Sequence, residues 1–222
     1  MKHILVIQTA LDEAFACLSR EGAVAAIRHS IERKDHAAFL HPAIDALLHE
    51  SGLAPAGLDA VAVIDGPGSY TGLRVGMACA KGLCLALSIP LVTINTLDWM
   101  AASAPRDDEA WTCPMIDARR MEVFTALYDA EGRRIQDPLA LVLSPDSFSD
   151  ILLSRTVRFF GSGAAKWQGI TPYPSALFPD IPARPDAAAA AAWTRYLHSD
   201  FADLAYAEPF YGKAFHSTLK TG

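Results

Sequence analysis

Residues 60–87 constrain the fold more than any other part of the chain. Residues 60–64 are all apolar and Asp65 closes the run; Gly66-Pro67-Gly68 breaks it, and Leu73, Met77, Ala80, Cys84 and Leu87 then recur at helical spacing until Pro90. A buried strand, a tight turn and a helix make the first half of a βαβ unit, which is completed by a strand parallel to the first. Residues 91–94, Leu-Val-Thr-Ile, supply that strand. The spacing therefore predicts an α/β fold containing a sheet with parallel strands.

The flanking segments extend this unit. Residues 4–8, 15–19 and 23–28 read as three short strands in a meander, the last following the turn at Glu21-Gly22. Asp35 is placed to cap a helix whose apolar positions are Phe39, Ala43, Ala46 and Leu47, with Pro42 expected to kink it and Ser51-Gly52 to end it. Thr96 is expected to cap a short helix running to Ala102. Residues 105–109 combine a proline with four charged residues, which sets a domain boundary between 1–104 and 105–222. Beyond it the pattern restarts, with strands at 112–116, 123–128 and near 133–135, a helix at 145–153, a strand at 157–160 and a second glycine turn at Gly161-Ser162-Gly163. A loop over 169–185 containing five prolines leads to an alanine-rich helix at 186–198, which is free to pack back on the N-terminal domain. The second half echoes the first, so a duplicated α/β fold is expected.

Composition bounds the function. With 51% hydrophobic and 20% charged residues in 222, the chain can bury a core, and its formal net charge of −6 has the wrong sign for gripping a nucleic acid backbone unaided. The four cysteines, Cys17, Cys79, Cys84 and Cys113, show no C-x-x-C pairing and read as small buried apolar residues. No export signal or membrane span is expected, because the first apolar run is only four residues long. The expectation is a soluble cytoplasmic protein.

The glycine-rich turn is the strongest chemical motif. Gly66, Gly68, Ser69 and Thr71 precede a helix N-terminus and are candidate contacts for an anion or nucleotide. The turn is not a P-loop, having no Gly-Lys-Ser/Thr at the required spacing, nor a dinucleotide fingerprint, since Thr71 stands where the third glycine belongs. A tight turn without ligand is the equal alternative. Ser69 and Ser162 lack a G-x-S-x-G elbow, and neither Cys79 nor Cys113 has an identifiable base. Asp117, Arg119 and Glu122 read as a salt-bridged turn between strands, and Arg119-Arg120 and Arg133-Arg134 are too few for autonomous nucleic acid affinity.

The run 66–81, with Gly82-Leu83 and Ile89-Pro90-Leu91-Val92, closely resembles the bacterial TsaB (YeaZ-like) family of tRNA threonylcarbamoyladenosine biosynthesis proteins. Residues 4–10, His36, Leu40, 42–48, 116–119 and 122–129 follow in that family's order, and 160–164 more loosely. The resemblance implies a two-domain actin, Hsp70 and sugar-kinase type of fold, a duplicated ribonuclease H-like α/β architecture. It further implies a noncatalytic accessory subunit that docks the metal-dependent transferase TsaD, which modifies adenosine 37 in tRNAs reading codons that begin with A. A small ATPase, TsaE, joins the pair, and tRNA is met only through the complex. No resident cofactor is expected, with a nucleotide at the partner interface and a homodimer of the isolated chain left open.

Individual residues bear on that implication. Enzymes of the actin-like class use an Asp at the end of the first strand, where this chain has Gln8-Thr9-Ala10, and a carboxamide is a poor ligand for a hard cation. The transferase holds metal with two histidines four residues apart; here His36 is followed at that spacing by Leu40, and His41 is turned about 100° away on the helix, so no metal site is expected. What remains is a surface: His36, Phe39 and Leu40 on one helix and Arg74, Met77 and Lys81 on the next, with Gly76 and Ala80 as small positions, are the expected partner interface, the equal alternative being that the apolar ones belong to the chain's own core. The alternatives are an actin-like small-molecule kinase or ATPase acting alone and a self-sufficient homodimer.

Overall fold

The computed structural model describes residues 1–30, 35–106 and 109–212. Residues 107 and 108 of the expected boundary and 213–222 at the C-terminus lie outside the described residues. In chain order the elements are β1 (His3–Gln8), β2 (Ala14–Arg20), β3 (Ala23–Ser30), α1 (His36–Glu50), β4 (Ala60–Gly66), α2 (Tyr70–Leu87), β5 (Leu91–Asn95) and α3 (Thr96–Ser103). There follow β6 (Trp111–Asp117), β7 (Glu122–Tyr128), β8 (Arg134–Val142), α4 (Ser149–Leu152), β9 (Val157–Phe160), α5 (Ala164–Gln168), β10 (Ala176–Leu177) and α6 (Pro185–Leu197).

Two five-stranded sheets result, ordered β3-β2-β1-β4-β5 and β10-β9-β6-β7-β8. Each opens with an antiparallel meander and adds two parallel strands beside its first strand. Read from the meander edge, the two orders are the same, so the chain has the duplicated α/β architecture.

Period-two alternation decides which helices cover which face. In β1 and β4, Leu5, Ile7, Val61 and Val63 meet α1 and α2, while Ile4, Val6, Ala60, Ala62 and Ile64 meet Trp99 of α3 and the alanines of α6. Both faces are covered, which explains why the parallel strands read as unbroken apolar runs. The alanine-rich helix α6 thus packs on the first sheet, although it follows the second in sequence. On the second sheet, Phe159, Trp167 and Leu152 form one core, and Ile116, Tyr128 and Phe160 form the other with Leu97 and Met100 of α3. Helix α3 therefore packs against both sheets.

Several local expectations need correction. Asn95, not Thr96, caps α3: its side-chain oxygen accepts from the Leu97 N–H at 3.0 Å, and Thr96 is wholly buried. Helix α2 ends at Ser88 in the left-handed region (φ 54°), two residues before Pro90. The helix expected at 145–153 shrinks to the single turn α4, and the short strand near 133–135 becomes the nine-residue β8. Pro42 leaves α1 assigned continuously to Glu50. Among the described residues no helix is long and apolar enough to cross a membrane.

Candidate functional site

A cleft of about 940 Å³ lies between the two halves, walled by the β1–β2 connection and the glycine-rich turn on one side and by Asp117, Arg119 and Ser162 on the other. At its closed end Gln8 is 2% exposed. Its amide nitrogen donates to the Glu13 carbonyl at 2.7 Å and its amide oxygen accepts from the Leu11 N–H at 3.2 Å. The carboxamide thus uses both a donor and an acceptor to fold the 9–13 connection. A carboxylate could not donate to Glu13. Gln8→Glu is accordingly expected to destabilise the chain by about 2 kcal/mol at neutral pH. The loss should shrink in acid, where a protonated carboxyl regains the donor, and denaturant titrations at pH 4 and pH 7 check it.

The glycines face the chain's own backbone. A Cβ on Gly68 would stand 2.2 Å from the Ala10 carbonyl oxygen, and one on Gly72 1.9 Å from that of Thr9. The Ser69 N–H donates to Ala10 at 2.8 Å, the Thr9 hydroxyl donates to the Gly72 carbonyl at 2.7 Å, and Ser69 Oγ caps α2 by accepting from the Gly72 N–H at 3.3 Å. The close approach that the glycines permit is made by residues 9 and 10. Of the four candidate contacts, Gly68, Ser69 and Thr71 line the cleft. Gly66 does not: at φ 125° it faces the C-terminal segment, where a Cβ would lie 2.1 Å from the Phe210 carbonyl oxygen.

Opposite, Asp117 pairs with Lys166 at 2.5 Å and accepts from the Arg119 N–H, while Lys166 also donates to the Glu122 carbonyl. The hydrogen bond from Lys166 is the main cause that holds the Asp117 carboxyl below its usual range. The turn is salt-bridged by Lys166 of α5, with Arg119 contributing its backbone N–H rather than its guanidinium. Burial pushes the thiols up, Cys17 and Cys113 to about 12 and Cys79 and Cys84 to about 11, so all four stay protonated at neutral pH and are poor nucleophiles. Among the described residues no three His, Cys, Asp or Glu side chains gather as metal ligands. One carboxyl is perturbed by burial away from the cleft: Asp65, at the end of β4, is raised to about 6.

The candidate interface residues separate into three groups. Leu40 (0% exposed) and Met77 (4%) belong to the core beneath α1 and α2, as do Gly76 and Ala80, so none of the four can anchor a partner. The stripe Leu73, Met77, Ala80, Cys84 fixes the phase of α2, which puts Ala78, Gly82 and Leu85 outside; that signal was available, and Leu85 is 74% exposed. His36 and Phe39 are half-buried on the flank of α1, the His36 ring lying beside Gly72 at the start of α2, and Ala37, Ala38, His41 and Asp45 face out. Arg74 and Lys81 lie on the outer flank of α2 but hold the chain's own C-terminal segment. Arg74 donates to the Tyr211 hydroxyl at 3.2 Å, and Lys81 to the Ala205 and Ala207 carbonyls at 3.3 and 3.0 Å. No local pattern in the sequence announces that segment, because its partners lie more than 100 residues away.

Comparison with known proteins agrees with this architecture. Residues 27–155 match the family model of TsaD, the tRNA N6-adenosine threonylcarbamoyltransferase. The TsaB proteins of tRNA threonylcarbamoyladenosine biosynthesis from Bacillus subtilis and Escherichia coli are 38% and 33% identical over 125 and 147 residues, or 56% and 65% of this chain. The matches span 54% and 63% of those relatives. The structure of YeaZ from Pseudomonas aeruginosa superposes with a TM-score of 0.77 at 25% identity, covering 95% of this chain and all of that one. By matched sequence and by fold, the chain belongs to the TsaB/YeaZ family, within the wider group that the transferase model describes.

Proposed function

We propose that this chain is a noncatalytic subunit of the assembly that forms N6-threonylcarbamoyladenosine in tRNA, and that it docks the TsaD-type transferase through α1 and α2. One observation carries the noncatalytic part: the Thr9 and Ala10 backbone sits on Gly68 and Gly72, so the turn that would cradle phosphate is filled by protein. Gln8 at the first strand end, engaged on both its polar atoms, removes the metal-binding acid from the same corner. The names of the curated relatives and the match to the transferase model support the pathway and the partner.

The docking face consists of Ala37, Ala38 and His41 on α1 with Ala78, Gly82 and Leu85 on α2. Small side chains let two further helices approach closely, and Leu85 is the anchor. Deleting the gene should abolish the modified adenosine in tRNA hydrolysates measured by mass spectrometry, and the wild-type gene should restore it. Leu85→Asp should leave the chain folded yet weaken its association with the transferase more than about tenfold, by placing a charge in an apolar seam. Unchanged modification after deletion, or ATP turnover by the isolated chain, would overturn the reading.

A further inference from the structure

After α6 the chain returns across the first half as an irregular strap. It begins at Ala202, whose N–H donates to the Leu91 carbonyl at 2.9 Å on the edge of β5. Leu204 and Ala207 then pack on the core beneath α1 and α2, which makes residues 202–207 part of the folded body. Residues 208–212 are held differently. The Phe210 N–H donates to the Asp65 carbonyl at 2.8 Å, and the Tyr211 hydroxyl accepts from Arg74. The Tyr211 ring lies 5.2 Å from that of Tyr70, over which the Arg74 guanidinium also sits at 4.5 Å. Gly212, at φ 71°, is close enough to Phe124 on β7 that a Cβ would stand 2.7 Å from its ring. Tyr70 and Phe124 both line the interdomain cleft, so this end of the strap ties the docking helix to the second sheet across the cleft mouth.

Arg74 is fully charged, but its acceptor is a neutral phenol. Among the described residues no carboxylate pairs with Arg74 or with Lys81. A guanidinium–carboxylate bond is markedly stronger than one to a neutral oxygen. The geometry points to residues 208–212 being a latch: Arg74 holds it closed on α2 through Tyr211, and a carboxylate presented by a docked helix takes Arg74 away, releasing the latch from the cleft mouth. The source of that carboxylate rests on the docking reading above; the latch itself does not. Residues 202–207 stay seated, because lifting them would expose core.

Hydrogen exchange of the full chain tests this, read on a peptide spanning 208–212. Tyr211→Phe removes the hydroxyl that accepts from Arg74 while keeping the ring, and should speed exchange about fivefold, the worth of one hydrogen bond. Thr71→Glu sets a carboxylate three residues before Arg74 on the exposed side of the same helix and should speed exchange about twofold, whereas Thr71→Gln should not. Adding the transferase subunit should slow exchange on α2 while speeding it at 208–212. Wild-type exchange in Tyr211→Phe, or equal exchange in Thr71→Glu and Thr71→Gln, would overturn the latch. Protection of both α2 and 208–212 would also overturn it, by making the strap part of the docked surface. If the transferase leaves α2 unchanged, the docking reading fails, and the Thr71 pair still decides the latch.

Discussion

Gly72→Ala is expected to destabilise the chain by about 3–5 kcal/mol, a large share of the stability of an ordinary domain. The added methyl would stand 1.9 Å from the Thr9 carbonyl oxygen, a backbone atom that no rotamer change can move aside. Shifting residue 9 would break its hydroxyl bond to Gly72 and disturb the Gln8 bonds that shape the following connection. Overpacking of this kind meets backbone on one side and the buried start of α2 on the other, so relaxation is costly. Thr71→Ala, one residue away but exposed, should change stability by less than about 0.5 kcal/mol. Denaturant unfolding of the two variants measures the difference directly. If Gly72→Ala unfolds like wild type, the glycines are not there to seat the chain's own backbone, and an external ligand regains its claim on the turn.

Asp65→Asn should stabilise the chain by about 2–3 kcal/mol at neutral pH and have almost no effect well below pH 4. Burial at the end of β4 is the main cause raising its carboxyl to about 6, with one side-chain oxygen buried and without a hydrogen-bond partner. Well below pH 4 the carboxyl is protonated both folded and unfolded, and it contributes nothing to the pH dependence. Between pH 4 and about 6 the folded state binds the extra proton, so stability falls as pH rises through that window. Above it the full penalty of the buried charge is present, and the amide escapes it. Thermal melts of wild type and variant from pH 3.5 to 8 should diverge across that interval. Parallel curves would show that Asp65 ionises as an ordinary exposed acid. Because the Asp65 carbonyl also anchors Phe210, a gain in stability without a change in exchange at 208–212 would separate the charge effect from the latch.

Much of the architecture was legible because it rests on short-range rules. The apolar run 60–64, the Gly66-Pro67-Gly68 break and the 73-77-80-84 stripe placed β4 and α2, and similar signals marked β6, β7 and β9 in the second half, while the strand order itself came from the structure. Asp35 caps α1 as its position implied, its carboxylate accepting from the Ala38 N–H at 3.0 Å. Expectations strayed where local and distant partners compete. Thr96 has the chemistry of a cap but is drawn into the core, leaving Asn95 to do the work. Leu40 lies on a helix with two possible apolar faces, and only the sheet beneath fixes which turns inward, whereas the 73-77-80-84 stripe already marked Met77 as core.

The sequence by itself determined that this is a duplicated α/β chain of the TsaB/YeaZ family, since strand and helix periods, turn glycines and the motif around 66–81 are properties of neighbouring residues. Only the tertiary structure decided what the glycine turn accommodates, which apolar side of α1 turns inward, and that Arg74 and Lys81 are engaged by a segment more than 100 residues downstream. The physical reason is the same in each case: close approach, burial and the choice of hydrogen-bond partner are set by atoms distant in the chain, and no local pattern encodes their arrival.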